Sequence, residues 1–251
     1  MKKGASPKTP VLRLIRDVPR QAALNMAIDE VLMEAQKETL AQAALRFYGW
    51  EDTCYTVGYF QDLEAVREKA GRPGERCQWV RRITGGGAVR HGRDLTFSLS
   101  MSQTDPLFLR DVKSSYLKIN EAVREGLKMK WPAVDYADCK TVPSGRGGKN
   151  NDRVCFEAAS CYDLLIGGRK IVGASQRRTG GALLHQSSIF FEEAGRDELT
   201  ALILSGFRAR WHAEFEERPI SGEELARAER KVRERYSSSR WALPVISYAL
   251  V

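Results

Sequence analysis

The chain has 251 residues, 43% of them hydrophobic, which suits one large domain, and no run approaches eighteen apolar residues, so no membrane span is expected. Five cysteines (Cys54, Cys77, Cys139, Cys155, Cys161) without CxxC spacing and three histidines (His91, His185, His212) without HExxH spacing exclude a disulfide framework and give no metal site. The net charge of +8, from 40 Lys+Arg against 32 Asp+Glu, favours acidic partners, and with no zinc finger, basic zipper or aromatic RNP motif an acidic protein is expected rather than nucleic acid.

Residues 1–10 are charged, Pro-bearing and poor in apolar groups, which reads as a disordered lead-in with lysines but no apolar leader after them; a cytoplasmic location is expected. Residues 11–251 read as a single domain. Over 23–34, Leu24, Ile28, Val31 and Leu32 recur at helical spacing, with Asn25, Asp29 and Glu30 on other faces, and the pattern predicts a scaffold helix. Segments 45–48 and 53–60 are rich in β-branched and aromatic residues around the break Gly49-Trp50-Glu51-Asp52, which predicts a strand, a turn and a strand. A helix follows over 63–70, and Gly71-Arg72-Pro73-Gly74 ends it.

A strand over 78–83 leads into Arg81-Arg82-Ile83-Thr84-Gly85-Gly86-Gly87-Ala88-Val89-Arg90-His91. Three consecutive glycines are tolerated mainly where backbone takes positive φ or a ligand comes very close, and flanking arginines and an imidazole suit a polar or anionic group. A plain glycine-rich turn with solvated arginines is the competing reading. Alternation over 95–101 predicts a half-buried strand, and 112–129 a long helix with Tyr116, Ile119, Val123 and Leu127 on one face.

Residues 143–152, almost without apolar content and without Walker spacing, are expected to be a mobile surface loop, and strands are expected over 154–156, 161–166, 170–174 and 182–191, with a type I′ turn at Gly167-Gly168. Helices are expected over 197–204 and 223–236, the latter within a charged C-terminal segment of about 221–251. Lys170, three residues before Gly173-Ala174-Ser175, either directs its ammonium into a cleft or is one more solvated lysine. Cys155 stands where the polar loop becomes a strand. Near a lysine it has the makings of a thiolate nucleophile, while most free cysteines are small buried hydrophobes, and both readings stay open; the other four cysteines are taken as structural.

Three stretches carry a resemblance: Asn25-Met26-Ala27-Ile28-Asp29-Glu30, the glycine segment 81–91, and Gly168-Arg169-Lys170-Ile171-Val172-Gly173-Ala174-Ser175-Gln176. With Leu184-His185-Gln186-Ser187-Ser188-Ile189 they resemble the lipoate–protein ligase, octanoyltransferase and biotin ligase superfamily over roughly 10–205. The resemblance implies an α/β (α+β) fold of mixed β-sheets with flanking helices, like the catalytic domains of class II synthetases and biotin ligases. It also implies an acyl chain in the cleft. Val57-Gly58-Tyr59-Phe60-Gln61 and Cys155-Phe156-Glu157-Ala158-Ala159-Ser160 are most similar to LipM-type octanoyltransferases, whereas the unbroken Gly85-Gly86-Gly87 and the Tyr236–Trp241 tail are ligase-like.

By that resemblance, Cys155 accepts an octanoyl group from acyl carrier protein and Lys170 assists. Arg82, Gly85, Gly86, Gly87, Ala88, His91, Gly173, Ala174, Ser175 and His185 bind the acyl group or donor. The acceptor is a lysine of a lipoyl domain, in the glycine cleavage H protein or a 2-oxoacid dehydrogenase E2. No cofactor is expected; an ATP-dependent lipoate ligase, using ATP and Mg, is the alternative, and a non-catalytic acyl-binding module a third reading. A monomer is expected.

Overall fold

The computed structural model describes residues 9–39, 41–72, 75–140 and 159–243. Most of the lead-in, the polar loop 143–152, the strand expected over 154–156 and Cys155 itself lie outside the described residues. The chain begins with β1 (Val11–Arg16), α1 (Ala22–Glu38), β2 (Ala44–Tyr48), β3 (Cys54–Val57), α2 (Leu63–Ala70), β4 (Gln78–Arg81), β5 (Val89–His91) and β6 (Leu95–Ser102). It continues with α3 (Val112–Lys128), β7 (Asp135–Tyr136), β8 (Leu164–Ile166), β9 (Arg169–Thr179) and β10 (Ala182–Ile189). Last come α4 (Arg196–Trp211), β11 (Glu214–Glu217), α5 (Gly222–Lys231) with a π-helical turn over Val232–Tyr236, and β12 (Ala242–Leu243).

Side-chain caps open α2, α3 and α5, whereas Gln21 before α1 and Gly195 before α4 make none. The Asp62 side chain accepts from the Ala65 amide to open α2, Asp111 does the same for Ser114 at α3, and Ser221 with Glu224 forms a capping box at α5. Gly167 and Gly168 take φ of 55° and 78°, as the expected type I′ turn requires, and Gly180-Gly181 repeats the device between β9 and β10.

Eight strands make one mixed sheet in the order β11-β1-β2-β6-β10-β9-β8-β7, and four make a second in the order β12-β4-β3-β5. The strands on either side of Gly49-Trp50-Glu51-Asp52 therefore do not form a hairpin: β2 pairs with β1 and β6, and β3 enters the small sheet between β4 and β5. The glycine segment joins β4 to β5 at opposite edges of β3.

Strand β6 is buried on both faces, not one. Its Leu95, Phe97, Leu99 and Met101 pack with α3 and α4 residues such as Ile119, Val123, Ile203 and Phe207. The serines and threonine of the other face lie under α1, which is covered in turn by the small sheet and α5. Helices α3 and α4 cross closely at two glycines: a Cβ on Gly126 would lie 2.0 Å from the Leu202 carbonyl oxygen, and one on Gly206 1.9 Å from that of Ala122. Among the described residues no helix is long and apolar enough to cross a membrane.

Candidate active site

Where α1 faces β6 and β10, a carboxylate is buried without any exposure. Asp29 accepts from Arg46 Nη1 (2.7 Å) and Ser98 Oγ (2.7 Å) on one oxygen, and from Tyr48 OH (2.8 Å) and Gln186 Nε2 (2.7 Å) on the other. Arg46, also fully buried, donates further to Asp17 and to the Asn25 side chain. Asn25 and Asp29, expected away from the apolar face, thus sit against the sheet, and Glu30 is buried under Tyr236, whose hydroxyl donates to it. A buried polar group needs partners, and these helix positions have them.

Gln186 passes the network outward. Its Oε1 accepts from Thr84 Oγ1 (2.7 Å), which in turn accepts from Ser175 Oγ (2.9 Å) and Arg82 Nε (3.1 Å). Arg82 then holds the glycine loop, donating to the carbonyls of Gly85 (2.5 Å) and Gly87 (2.8 Å) as well as to Thr56. Gly86 turns with φ of 87°, and a Cβ on Gly58 would stand 2.0 Å from the Gly86 carbonyl oxygen, so the turn at 58–61 lies directly against the loop.

A second cluster forms around Asp94. It accepts from His91 Nδ1 (2.8 Å), Ser188 Oγ (2.5 Å), Thr96 Oγ1 (3.1 Å) and the Gly92 amide (2.9 Å). Burial alone would push this carboxyl up, but His91 and the hydrogen bonds from Ser188 and Gly92 outweigh it and hold Asp94 below the ordinary carboxylate value. His91 Nε2 meets Thr56 Oγ1 at 2.8 Å, and the ring stacks on Trp50 at 3.9 Å between centroids. With both ring nitrogens engaged, His91 serves as wall and brace of the loop and does not offer a free nitrogen to a ligand.

Between these clusters lies a small pocket, partly open to solvent, whose atom-free space of about 390 Å³ includes the solvent at its mouth. Its inner wall is Met26, Tyr48, Trp50, Thr56, Val89 and Thr96, all buried; toward solvent it is bordered by Gly86, which is exposed, and half-buried Ala174. Gly173, Ser175 and Gln186 to Ser188 complete it. The polar atoms of the inner wall are already bonded, Tyr48 OH to Asp29 and Trp50 Nε1 to Thr96 Oγ1, so their ring faces present an apolar interior.

Several expected site residues stand elsewhere. Gly85, Gly87 and Ala88 shape the loop but are not in the lining, whereas Arg82, Gly86, His91, Gly173, Ala174 and Ser175 are. His185 belongs to the opposite face of β10: it is fully buried between Phe97 and Tyr116, with Gln176 and Ser187 on its nitrogens. Successive strand residues point to opposite faces, so its neighbours Gln186 and Ser188 reach the pocket side in its place. Burial, with Arg178 adding to it, pushes the His185 imidazole down to about 3.

Lys170 is buried near the β8–β9 turn and pairs with Asp163 at 2.7 Å, so it is not a solvated lysine. Burial raises the Asp163 carboxyl although Lys170 pulls it down. At a rise of about 3.3 Å per residue, Lys170 stands about 10 Å along β9 from Gly173. Asp29, Arg46, Thr84, Asp94, Gln186 and Ser188 were not singled out from the sequence. The available signals were Asp29 one turn from Asn25 on the first half of α1, and Asp94 three residues after His91.

The two mixed sheets, the glycine loop braced by Arg82 and the largely apolar pocket beneath α1 describe an α/β domain with a binding cleft between its sheets. Residues 21–218 match the lipoyl protein ligase A/B catalytic domain, and the chain belongs to that family. Within it, the chain is 35% identical over 212 residues to the octanoyltransferase LipM of Moorella thermoacetica, covering 80% of this chain and 73% of that one. It is 37% identical over 189 residues to LipM of Bacillus cereus, covering 72% and 66%, and 34% identical to that of Clostridioides difficile, of which it spans 65%. A lipoate-protein ligase A solved with ATP shares the fold with a TM-score of 0.69 at 24% identity, over 93% of this chain and 98% of that one. The bipartite lipoate protein ligase of Thermoplasma acidophilum does so at 0.67 and 24%, over 97% and 99%.

Proposed function

We propose that this enzyme moves an octanoyl group from the thioester of an acyl carrier protein to a lysine of a lipoyl domain. The observation that supports an acyl substrate is the pocket, apolar at its inner wall and open to solvent at Gly86 and Ala174. An octanoyl tail buried there would contribute on the order of 5 kcal/mol at about 0.8 kcal/mol per CH₂. Transfer is favoured over ligation by the 34–37% identity to octanoyltransferases, whereas the ligases resemble this chain at a level that speaks only to fold.

In this reading the Cys155 thiolate attacks the thioester carbonyl, the carbonyl reforms as the carrier thiolate leaves and takes a proton, and an octanoyl-Cys155 thioester remains. The amine of the acceptor lysine then attacks that thioester, an amide forms, and the Cys155 thiol is restored. Lys170, fixed by Asp163, supplies positive charge toward the developing oxyanion. Arg82, Thr84 and Gln186 keep the glycine loop in place beside the chain. No cofactor is needed, since the thioester already carries the activation that a ligase takes from ATP. The single domain works as a monomer.

The test is transfer with ATP omitted. With octanoyl-acyl carrier protein as donor, a lipoyl domain gains one octanoyl group per acceptor lysine. Modification that requires free lipoate, ATP and Mg would establish the ligase, and binding of acyl groups without transfer from either source would establish a binding module.

A further inference from the structure

The turn that rests on the glycine loop carries an exposed aromatic side chain among arginines. Phe60 is 76% exposed, the largest exposure among the large hydrophobic residues described, and it meets Tyr59 edge to face at 5.1 Å. The turn is held in place: the Tyr59 amide donates to the Thr84 carbonyl, and Arg81 Nη1 donates to the carbonyls of Gly58, Tyr59 and Gln61. Phe60 is therefore displayed on a rigid support.

Around it gather three cations. The Arg177 guanidinium lies 4.8 Å over the Tyr59 ring, two residues along β9 from Ser175 of the pocket. Arg81 Nε donates to the Arg240 carbonyl, and Arg240 is exposed. Trp241 follows, its ring 6.0 Å from Tyr59. None of Arg81, Arg177 and Arg240 forms an ion pair with a described carboxylate, in contrast to Arg13, Arg46, Arg90 and Arg235, which all do. The acid that acts on Arg81 is Asp62, whose side chain is engaged in capping α2.

We propose that Tyr59, Phe60, Arg81, Arg177 and Arg240 form the docking surface for the acidic carrier protein that delivers the acyl thioester. This rests on the acyl-transfer reading. An exposed Phe60 backed by half-buried Tyr59, with half-buried Arg81 and Arg177 and exposed Arg240 nearby, has the composition of a protein interface, and the turn abuts Gly86 at the open border of the pocket, where a thioester arm would enter. Charge also chooses between the two protein substrates. The donor brings its uncharged thioester on an acidic body, which arginines without a described carboxylate partner attract, whereas the acceptor's approach places a basic lysine among them. Complementary charge acts chiefly on association rate.

The test compares two donors in the full chain: octanoyl-acyl carrier protein and the small uncharged thioester octanoyl-N-acetylcysteamine. In the variant Phe60→Ser/Arg240→Glu, and separately in Arg177→Glu, kcat/KM for the carrier-bound donor falls about tenfold or more and loses its salt dependence. With the small thioester it stays as in the unsubstituted chain. Equal losses with both donors, no loss with the carrier, or a raised KM for the lipoyl domain alone each overturn the docking assignment. If the unsubstituted chain turns over neither donor, the acyl-transfer reading itself fails and the docking surface falls with it.

Discussion

Replacing Asp29 by alanine removes the acceptor on which four buried donors converge: Arg46, Tyr48, Ser98 and Gln186. The Arg46 side chain has no solvent exposure, so its charge cannot be rehydrated in place. Breaking a buried ion pair from one side costs about 3–5 kcal/mol, and Arg46 keeps Asp17 as a second carboxylate, which places the loss near 3. That is a large part of a total stability of about 5–15 kcal/mol. For a chain of this size each kcal/mol is worth about 2–4 °C, so the melting temperature should fall by roughly 6–12 °C, read by calorimetry or circular dichroism. Burial, the first cause of the raised Tyr48 hydroxyl, remains in the variant, so Tyr48 stays a neutral donor and gives Arg46 no anion in place of Asp29. A fall of less than about 2 °C would refute the idea that Asp29 organises the underside of the pocket.

Three further outcomes follow from other places in the fold. His185 is buried with its imidazole pushed down to about 3, against about 6.5 in the unfolded chain. The unfolded state therefore takes up the proton first, and stability falls by up to about 1.4 kcal/mol per pH unit as the pH drops from about 6.5 toward 3; His185→Gln should flatten that part of a urea-midpoint profile against pH. In Gly58→Ala the new methyl, 2.0 Å from the Gly86 carbonyl oxygen, must displace the glycine loop by about an ångström, and kcat/KM should drop on the order of 100-fold with the far-UV spectrum unchanged. Gly206→Ala forces α3 and α4 apart at the Ala122 carbonyl and should lower the urea midpoint by the equivalent of about 1–3 kcal/mol while leaving the urea dependence of unfolding unchanged.

What the sequence made legible was what local pattern controls. α1, α2 and α3 fall where helical spacing and breaking residues put them, and Gly167-Gly168 turns as its two positive φ values demand. β1 was missed because Arg13 and Arg16 interrupt its apolar residues, and both turn to carboxylates of distant segments, Glu224 and Glu217. The Gly49 to Asp52 break looked like a hairpin, although nothing local says that the strands flanking it join different sheets. At the site, glycine and arginine marked the loop, but facing direction decided the rest. A one-residue step on β10 separates His185, sealed against α3, from Gln186, which ties Asp29 to Thr84. The polar groups of α1 looked solvated because their partners Arg46, Ser98 and Gln186 lie 17, 69 and 157 residues away.

The measurement that bears most directly on octanoyl transfer is the intact mass of the enzyme after incubation with octanoyl-acyl carrier protein, without ATP and without acceptor. One octanoyl group should appear, map to the peptide containing Cys155, leave on addition of a lipoyl domain, and be absent in Cys155→Ser. An enzyme that stays unmodified, together with a Cys155→Ser variant that still acylates the lipoyl domain from free lipoate and ATP, would contradict the account.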